Sequence, residues 1–159
     1  MIARVDEVAS SPLLPEGVSL REVTDRHDLD RIAAFEQAAW EDGDEQSWIA
    51  DMLEAERTAD PNGISIVVAE AGGTIVCAGW VRFVSGTDFA TLWGGATLPA
   101  WRGRGIYRAT VAHRASLAAR RGFRFIEVDS SSDSRPILER LGFSAVTTTT
   151  PYVWSPRPE

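Results

Sequence analysis

Three β-type runs, residues 64–69, 74–83 and 89–97, follow one another with only the Gly72-Gly73 and Ser85-Gly86 turns between them. Connections this short cannot carry a chain back across a sheet to start a parallel neighbour, so the three runs must form an antiparallel meander. Around it, Val18, Leu20 and Val23 predict an earlier strand, and Thr24 or Asp25 can cap a helix bearing Leu29, Ile32, Ala33, Phe35, Ala39 and Trp40. A second helix is expected after Gly43, with Trp48, Ile49, Met52 and Leu53 as its apolar stripe, broken by Asp60-Pro61-Asn62-Gly63.

Downstream, residues 105–121 read as a helix stopped by Gly122, residues 125–128 as an apolar strand, and residues 135–140 as a short helix with Pro136 in its first turn. Two closing strands are expected over 144–150 and 152–154, joined at Pro151. Strands and helices in this order imply an α/β (α+β) fold, a mixed sheet covered by helices. Residues 1–16 combine charge with Ser10-Ser11-Pro12 and Pro15 and are read as a loosely ordered tail, perched before a single domain over 17–159.

Composition narrows the function classes. The chain of 159 residues carries one cysteine, Cys77, and two histidines, too few for a disulfide or a usual zinc site, so no metal is expected and a reducing, cytoplasmic setting is favoured. No run of roughly 18 apolar residues is present, which argues against a membrane partner. The net charge of −7 argues against general nucleic-acid binding. Yet residues 101–124 hold seven arginines and no Asp or Glu, so a compact anion is the ligand such a patch fits best. Many of these arginines, Arg114, Arg120 and Arg121 among them, are expected on a solvated helix face.

Residues 102–107, Arg-Gly-Arg-Gly-Ile-Tyr, lie where a strand hands over to a helix. Glycines there let successive N–H groups converge on one point, and a helix N-terminus adds unpaired donors and partial positive charge, so a phosphate can be held. The segment is neither a Walker loop, lacking Gly-Lys-Ser/Thr, nor a dinucleotide fingerprint, lacking the third glycine. Gly94-Gly95 interrupt the strand just before it, as at a bulge or a close ligand approach.

Thr97-Leu98-Pro99-Ala100-Trp101-Arg102-Gly103-Arg104-Gly105-Ile106-Tyr107 resembles the Arg/Gln-x-x-Gly-x-Gly/Ala hallmark of the GNAT acyltransferases, and Leu141-Gly142-Phe143 resembles the end of that family's last short helix. The resemblance covers roughly residues 18–154. It implies a mostly antiparallel sheet of about seven strands, splayed between the fourth and fifth, with acetyl-CoA as cosubstrate. The N–H groups of Gly103, Arg104, Gly105, Ile106 and Tyr107, with Arg102, would hold the CoA pyrophosphate. The pantetheine arm would pair with Gly95, Ala96, Thr97 and Leu98, and an N–H at the bulge would stabilise the oxyanion. Tyr107 replaces the usual small residue, Ser131 stands where many members place a CoA-binding Asn, and Leu138 stands where many place the Tyr that protonates the leaving thiolate.

Glu36 lies within an apolar stripe, four residues from both Ile32 and Trp40, and with Trp40 is the acceptor-binding candidate. Twelve carboxylates against three arginines between Asp25 and Asp60 make a cationic amine attractive, whether a small molecule or a peptide amine. Glu127 and Asp129 share one face of their strand and offer a general base, and Tyr152 offers a replacement acid, with Tyr107 and Ser131 next in turn. The reading is an N-acetyltransferase using direct attack in a ternary complex, as monomer or homodimer. A CoA-binding or sensor module of little activity, and an anion or nucleic-acid binder, are the alternatives.

Overall fold

The computed structural model describes residues 1–8, 13–40, 48–152 and 154. Its elements are β1 (Ile2–Arg4), α1 (Val5–Val8), β2 (Val18–Val23), α2 (Arg26–Ala39), α3 (Trp48–Ala59), β3 (Ile64–Ala71), β4 (Thr74–Phe83), β5 (Phe89–Thr97), α4 (Ile106–Arg120), β6 (Phe125–Val128) and α5 (Arg135–Arg140). A single six-stranded sheet runs in the order β1-β6-β5-β4-β3-β2. All neighbours are antiparallel except β5 and β6, which a crossover through α4 makes parallel. The start of the second helix after Gly43 lies outside the described residues.

One core lies between the sheet and α4, where Val67, Val81, Ala90, Val111, Ala115, Ala118 and Ile126 are buried together. The other lies between the sheet and α2 with α3, built on Leu29, Ile32, Phe35, Ile49, Leu53, Ile66 and Val68. Alternation of side chains along β3 and β4 feeds both cores, which is why these strands read as nearly continuous apolar runs. Asp25 caps α2 by accepting from the Asp28 N–H. Asp28 in turn binds Arg21 and Arg31, which also bind Glu70, fastening α2 to β2 and β3.

Two sequence expectations are corrected. Residues 2–8 are not a loose tail: β1 pairs antiparallel with β6, and Val5 and Val8 are buried against α4. The closing strands are absent among the described residues, and only Ser144 makes a β-bridge, to Ile2. Both differences have one cause. The free edge of β6 is taken by β1, so the threonine-rich segment that follows α5 finds no open partner there despite its β propensity. Among the described residues the sheet accordingly has six strands rather than about seven.

Candidate active site

The sheet forks at β5. Strands β5 and β6 pair from Phe89↔Phe125 to Leu92↔Val128, after which β6 ends and residues 93–97 continue with no strand partner on that side among the described residues. On the other side the register to β4 slips: Ala78 faces Ala96 while Gly79 faces Gly94, which leaves Gly95 as the extra residue of a bulge. Gly94 and Gly95 have φ of +64° and +97°. A side chain at Gly94 would strike the Trp80 ring at 2.6 Å, so both the backbone and the space require glycine.

A cleft of about 520 Å³ opens in this fork. Gly95, Ala96 and Thr97 form one wall, and Ser131, Asp133, Ser134, Ile137 and Arg140 form the other. The end is closed by Trp101, Arg102, Gly103, Gly105, Ile106, Tyr107 and Arg108, and by Ala39 and Trp40 from α2. Pro99–Trp101 makes a short 3₁₀ turn, and the chain then enters α4 through Gly105, whose φ is +81° and which offers no capping side chain. The first N–H groups of this 15-residue helix therefore lack the side-chain partner that Asp25 gives to α2. Methyl groups built on Gly103 or Gly105 would meet no protein atom, so these glycines leave open space beside those donors.

The basic run divides. Arg102 donates to the carbonyls of Thr97 and Ala39, tying the loop to β5 and α2, and Arg104 stacks on Trp101 at 4.8 Å. Arg108 and, from α5, Arg140 line the cleft. Arg121 lies over the Phe83 ring, and Arg124 pairs with Asp88. Arg114, expected on a solvated face, is instead wholly buried beneath the bulge, where desolvation works against its charge. The signal for it was weak, because α4 is rich in alanines that leave the phase of its buried face open.

Of the residues singled out for a cofactor, Gly95, Ala96, Thr97, Arg102, Gly103, Gly105, Ile106, Tyr107 and Ser131 meet in the cleft. Leu98 and Arg104 are not among its lining, and the Leu98 N–H is spent on the Val76 carbonyl. Ser131 and Ser134 bond to each other before α5. Burial raises the Tyr107 phenol, and the nearby Arg114 charge opposes this. Leu138 is fully buried in the core. Trp101, Arg108, Ser134, Ile137 and Arg140 join the lining without having been singled out.

On the acceptor side, Trp40 is half exposed on the cleft rim and donates its indole N–H to Glu36 Oε2 at 2.8 Å. Glu36 is buried, its Oε1 has no hydrogen-bond partner among the described residues, and burial pushes its carboxyl up. Most other described carboxylates of this acidic stretch are spent: Asp28 on Arg21 and Arg31, Asp30, Asp51 and Glu54 on Arg26, and Glu56 on Arg82. Glu127 faces Thr91 across the β5–β6 pair, outside the cleft lining; burial raises its carboxyl, as does the Asp129 charge. Asp129 accepts from the Thr149 hydroxyl. Tyr152 is not brought to the cleft: it is 93% exposed, and among the described residues no strand carries it beside β6. Cys77 is buried, with burial raising its thiol, as a structural cysteine would be.

Residues 27–143 match the family model of the acetyltransferase (GNAT) family. The chain belongs to the GNAT acetyltransferase family. No curated protein sequence matches it significantly. Its fold is similar to that of a transcriptional regulator from Bacillus halodurans, at 24% identity and TM-score 0.71, covering 86% of this chain and 99% of the other. A predicted acetyltransferase from Clostridium acetobutylicum with acetyl-CoA aligns at 17% identity and TM-score 0.67, covering 86% and 96%. The aminoglycoside N-acetyltransferase AAC(6')-Iy in complex with CoA aligns at 20% identity and TM-score 0.64, covering 91% and 99%. Within this GNAT chain, the fork of β5 and β6 is the splay that the family resemblance anticipates between the fourth and fifth strands of the 18–154 region. No described helix is long and apolar enough to cross a membrane.

Proposed function

We propose that the chain is an acetyl-CoA-dependent N-acetyltransferase that moves the acetyl group to a primary amine by direct attack in a ternary complex. The observation that carries this reading is the juxtaposition in one cleft of an uncapped helix N-terminus, flanked by space-making glycines, with the unpaired segment of β5. The residues fit the cosubstrate. Pyrophosphate oxygens take the N–H groups of residues 103–107 with Arg102 and Arg108 alongside, and an extended amide-bearing arm takes the open edge of Gly95, Ala96 and Thr97 as an added strand. The structures with acetyl-CoA or CoA among its fold relatives support the same assignment.

In the reaction the neutral amine nitrogen bonds to the thioester carbon, the oxygen becomes an oxyanion facing bulge N–H groups, and the C–S bond then breaks to release the thiolate. The amine loses a proton to a base and the thiolate gains one. Glu127, its carboxyl raised by burial, is the base candidate, acting through water because it lies outside the cleft lining. For the acid, Tyr107 and Ser131 line the cleft, whereas Tyr152 is exposed, so the donor is sought first at Tyr107. Trp40, on the cleft rim, places the acceptor, and Glu36, buried outside the cleft lining, holds the Trp40 indole and sets a carboxyl behind it.

Thiol release from acetyl-CoA, followed with a panel of amines that includes aminoglycosides and polyamines, tests the reading. Amine-dependent release is expected. Tight acetyl-CoA binding with no amine raising the rate above background hydrolysis would leave a CoA-binding module instead.

A further inference from the structure

Arg114 is among the largest fully buried side chains, 1% exposed. Its guanidinium keeps its charge at any ordinary pH. Three backbone carbonyls accept from it: Thr110 O from Nε at 3.2 Å, and both Trp80 O and Trp93 O from Nη1 at 3.1 and 3.0 Å. These bonds solvate the charge without neutralising it. The acidic groups facing it are the Tyr107 phenol and the Cys77 thiol, both uncharged near neutrality, and no carboxylate pairs with it among the described residues.

The surroundings are shaped to admit this group. A methyl at Gly79 would lie 2.7 Å from Nη1, and one at Gly95 would lie 3.5 Å from Nη2 and 3.0 Å from the Tyr107 ring. Trp80 and Trp93 face each other across β4 and β5 one pair before the bulge, and Trp93 is the first residue of β5 past its last pair with β6. Arg114 thus bridges two strands at the point where the sheet forks. An apolar side chain of similar volume would suit a core better than an unpaired charge, so packing alone does not account for an arginine here.

We propose that Arg114 is a positioning residue for acyl transfer, holding the β5 bulge in place and setting a fixed positive charge behind the Gly95 peptide, where it stabilises negative charge developing on the thioester oxygen. It acts through the bulge rather than by touching the substrate. The proposal rests on the acetyl-CoA reading above. A low-dielectric setting makes such a preorganised charge effective, because nothing has to reorient when the oxyanion forms.

The infrared carbonyl stretch of acetyl-CoA labelled with carbon-13 at the thioester carbon reports this polarisation without an acceptor. Bound to the wild type, the stretch is expected at lower frequency than in solution. Arg114→Met is expected to lose that shift while its melting curve stays cooperative and its affinity for acetyl-CoA stays within a few-fold; where an accepting amine is known, kcat falls about a hundredfold. Arg114→Lys, which keeps the charge but is shorter and loses the Nε bond to the Thr110 carbonyl, should retain part of the shift. If Arg114→Met does not fold, the lysine variant against wild type carries the test, and a smaller shift at equal affinity supports the proposal. An unshifted wild-type carbonyl, or a shift undiminished in the folded variants, overturns the role of Arg114 and leaves the cofactor reading intact. A wild type that does not bind acetyl-CoA at all overturns the cofactor reading itself.

Discussion

Burial raises the Glu36 carboxyl above its ordinary range, and the single hydrogen bond from Trp40 opposes this only in part. A carboxyl with a raised folded-state pKa binds its proton more tightly in the native than in the unfolded chain. Its presence therefore costs nothing below the unfolded value near 4.5, and stability falls as pH climbs from there through the folded value. Glu36→Gln keeps the shape and an acceptor for Trp40 but removes the charge. The variant should melt higher than wild type at pH 7, with the gap closing below about pH 4. Its acceptor KM should rise about several-fold, because the Trp40 indole loses a charge-assisted hydrogen bond to the carboxylate, while the KM for acetyl-CoA holds. Equal melting offsets at both pH values, or equal changes in both KM values, would show Glu36 to be a packing residue. Glu36 was legible in the sequence because a carboxylate inside an apolar stripe breaks the pattern. Arg114 was not, since an arginine on an alanine-rich helix that also bears Arg120 and Arg121 breaks none.

At the scale of elements, the meander and the helix that follows it were readable because turn glycines punctuate them, and the bulge was readable from two adjacent glycines in a strand. The N-terminal strand was not, for three residues are too short to show alternation and Arg4 and Asp6 dilute the apolar signal. The C-terminal strands were expected on propensity and lost to topology, because β1 occupies the edge they needed. Tyr152 went with them, which shows how a site residue inferred from its element inherits the element's error. The entry to α4 makes a sharper prediction. Gly105→Val meets no steric contact, yet it forces a β-branched residue to φ +81°, at a cost of about 1–2 kcal/mol, and fills the space beside the helix donors. The variant should still melt cooperatively, slightly below wild type, and lose its thermal response to acetyl-CoA. A full response would move the phosphate site away from this loop.

Across the whole molecule, charge is distributed to serve the cleft rather than a broad surface. Of the seven arginines of residues 101–124, six go to backbone carbonyls, aromatic faces, an aspartate and the cleft and Arg120 to the Ser116 hydroxyl, while the acidic helices α2 and α3 neutralise much of their charge on Arg21, Arg26, Arg31 and Arg82. What remains is a forked sheet with a helix N-terminus at its mouth. A ligand that binds only the native state stabilises it by about 2.7 kcal/mol at a hundredfold excess over its Kd, which for a domain of this size raises the melting temperature by about 5–10 °C. The direct measurement is the melting temperature of the wild-type chain with and without millimolar acetyl-CoA. A saturable rise of that order, competed by CoA, is the result predicted; an unchanged melting temperature at millimolar acetyl-CoA would contradict it.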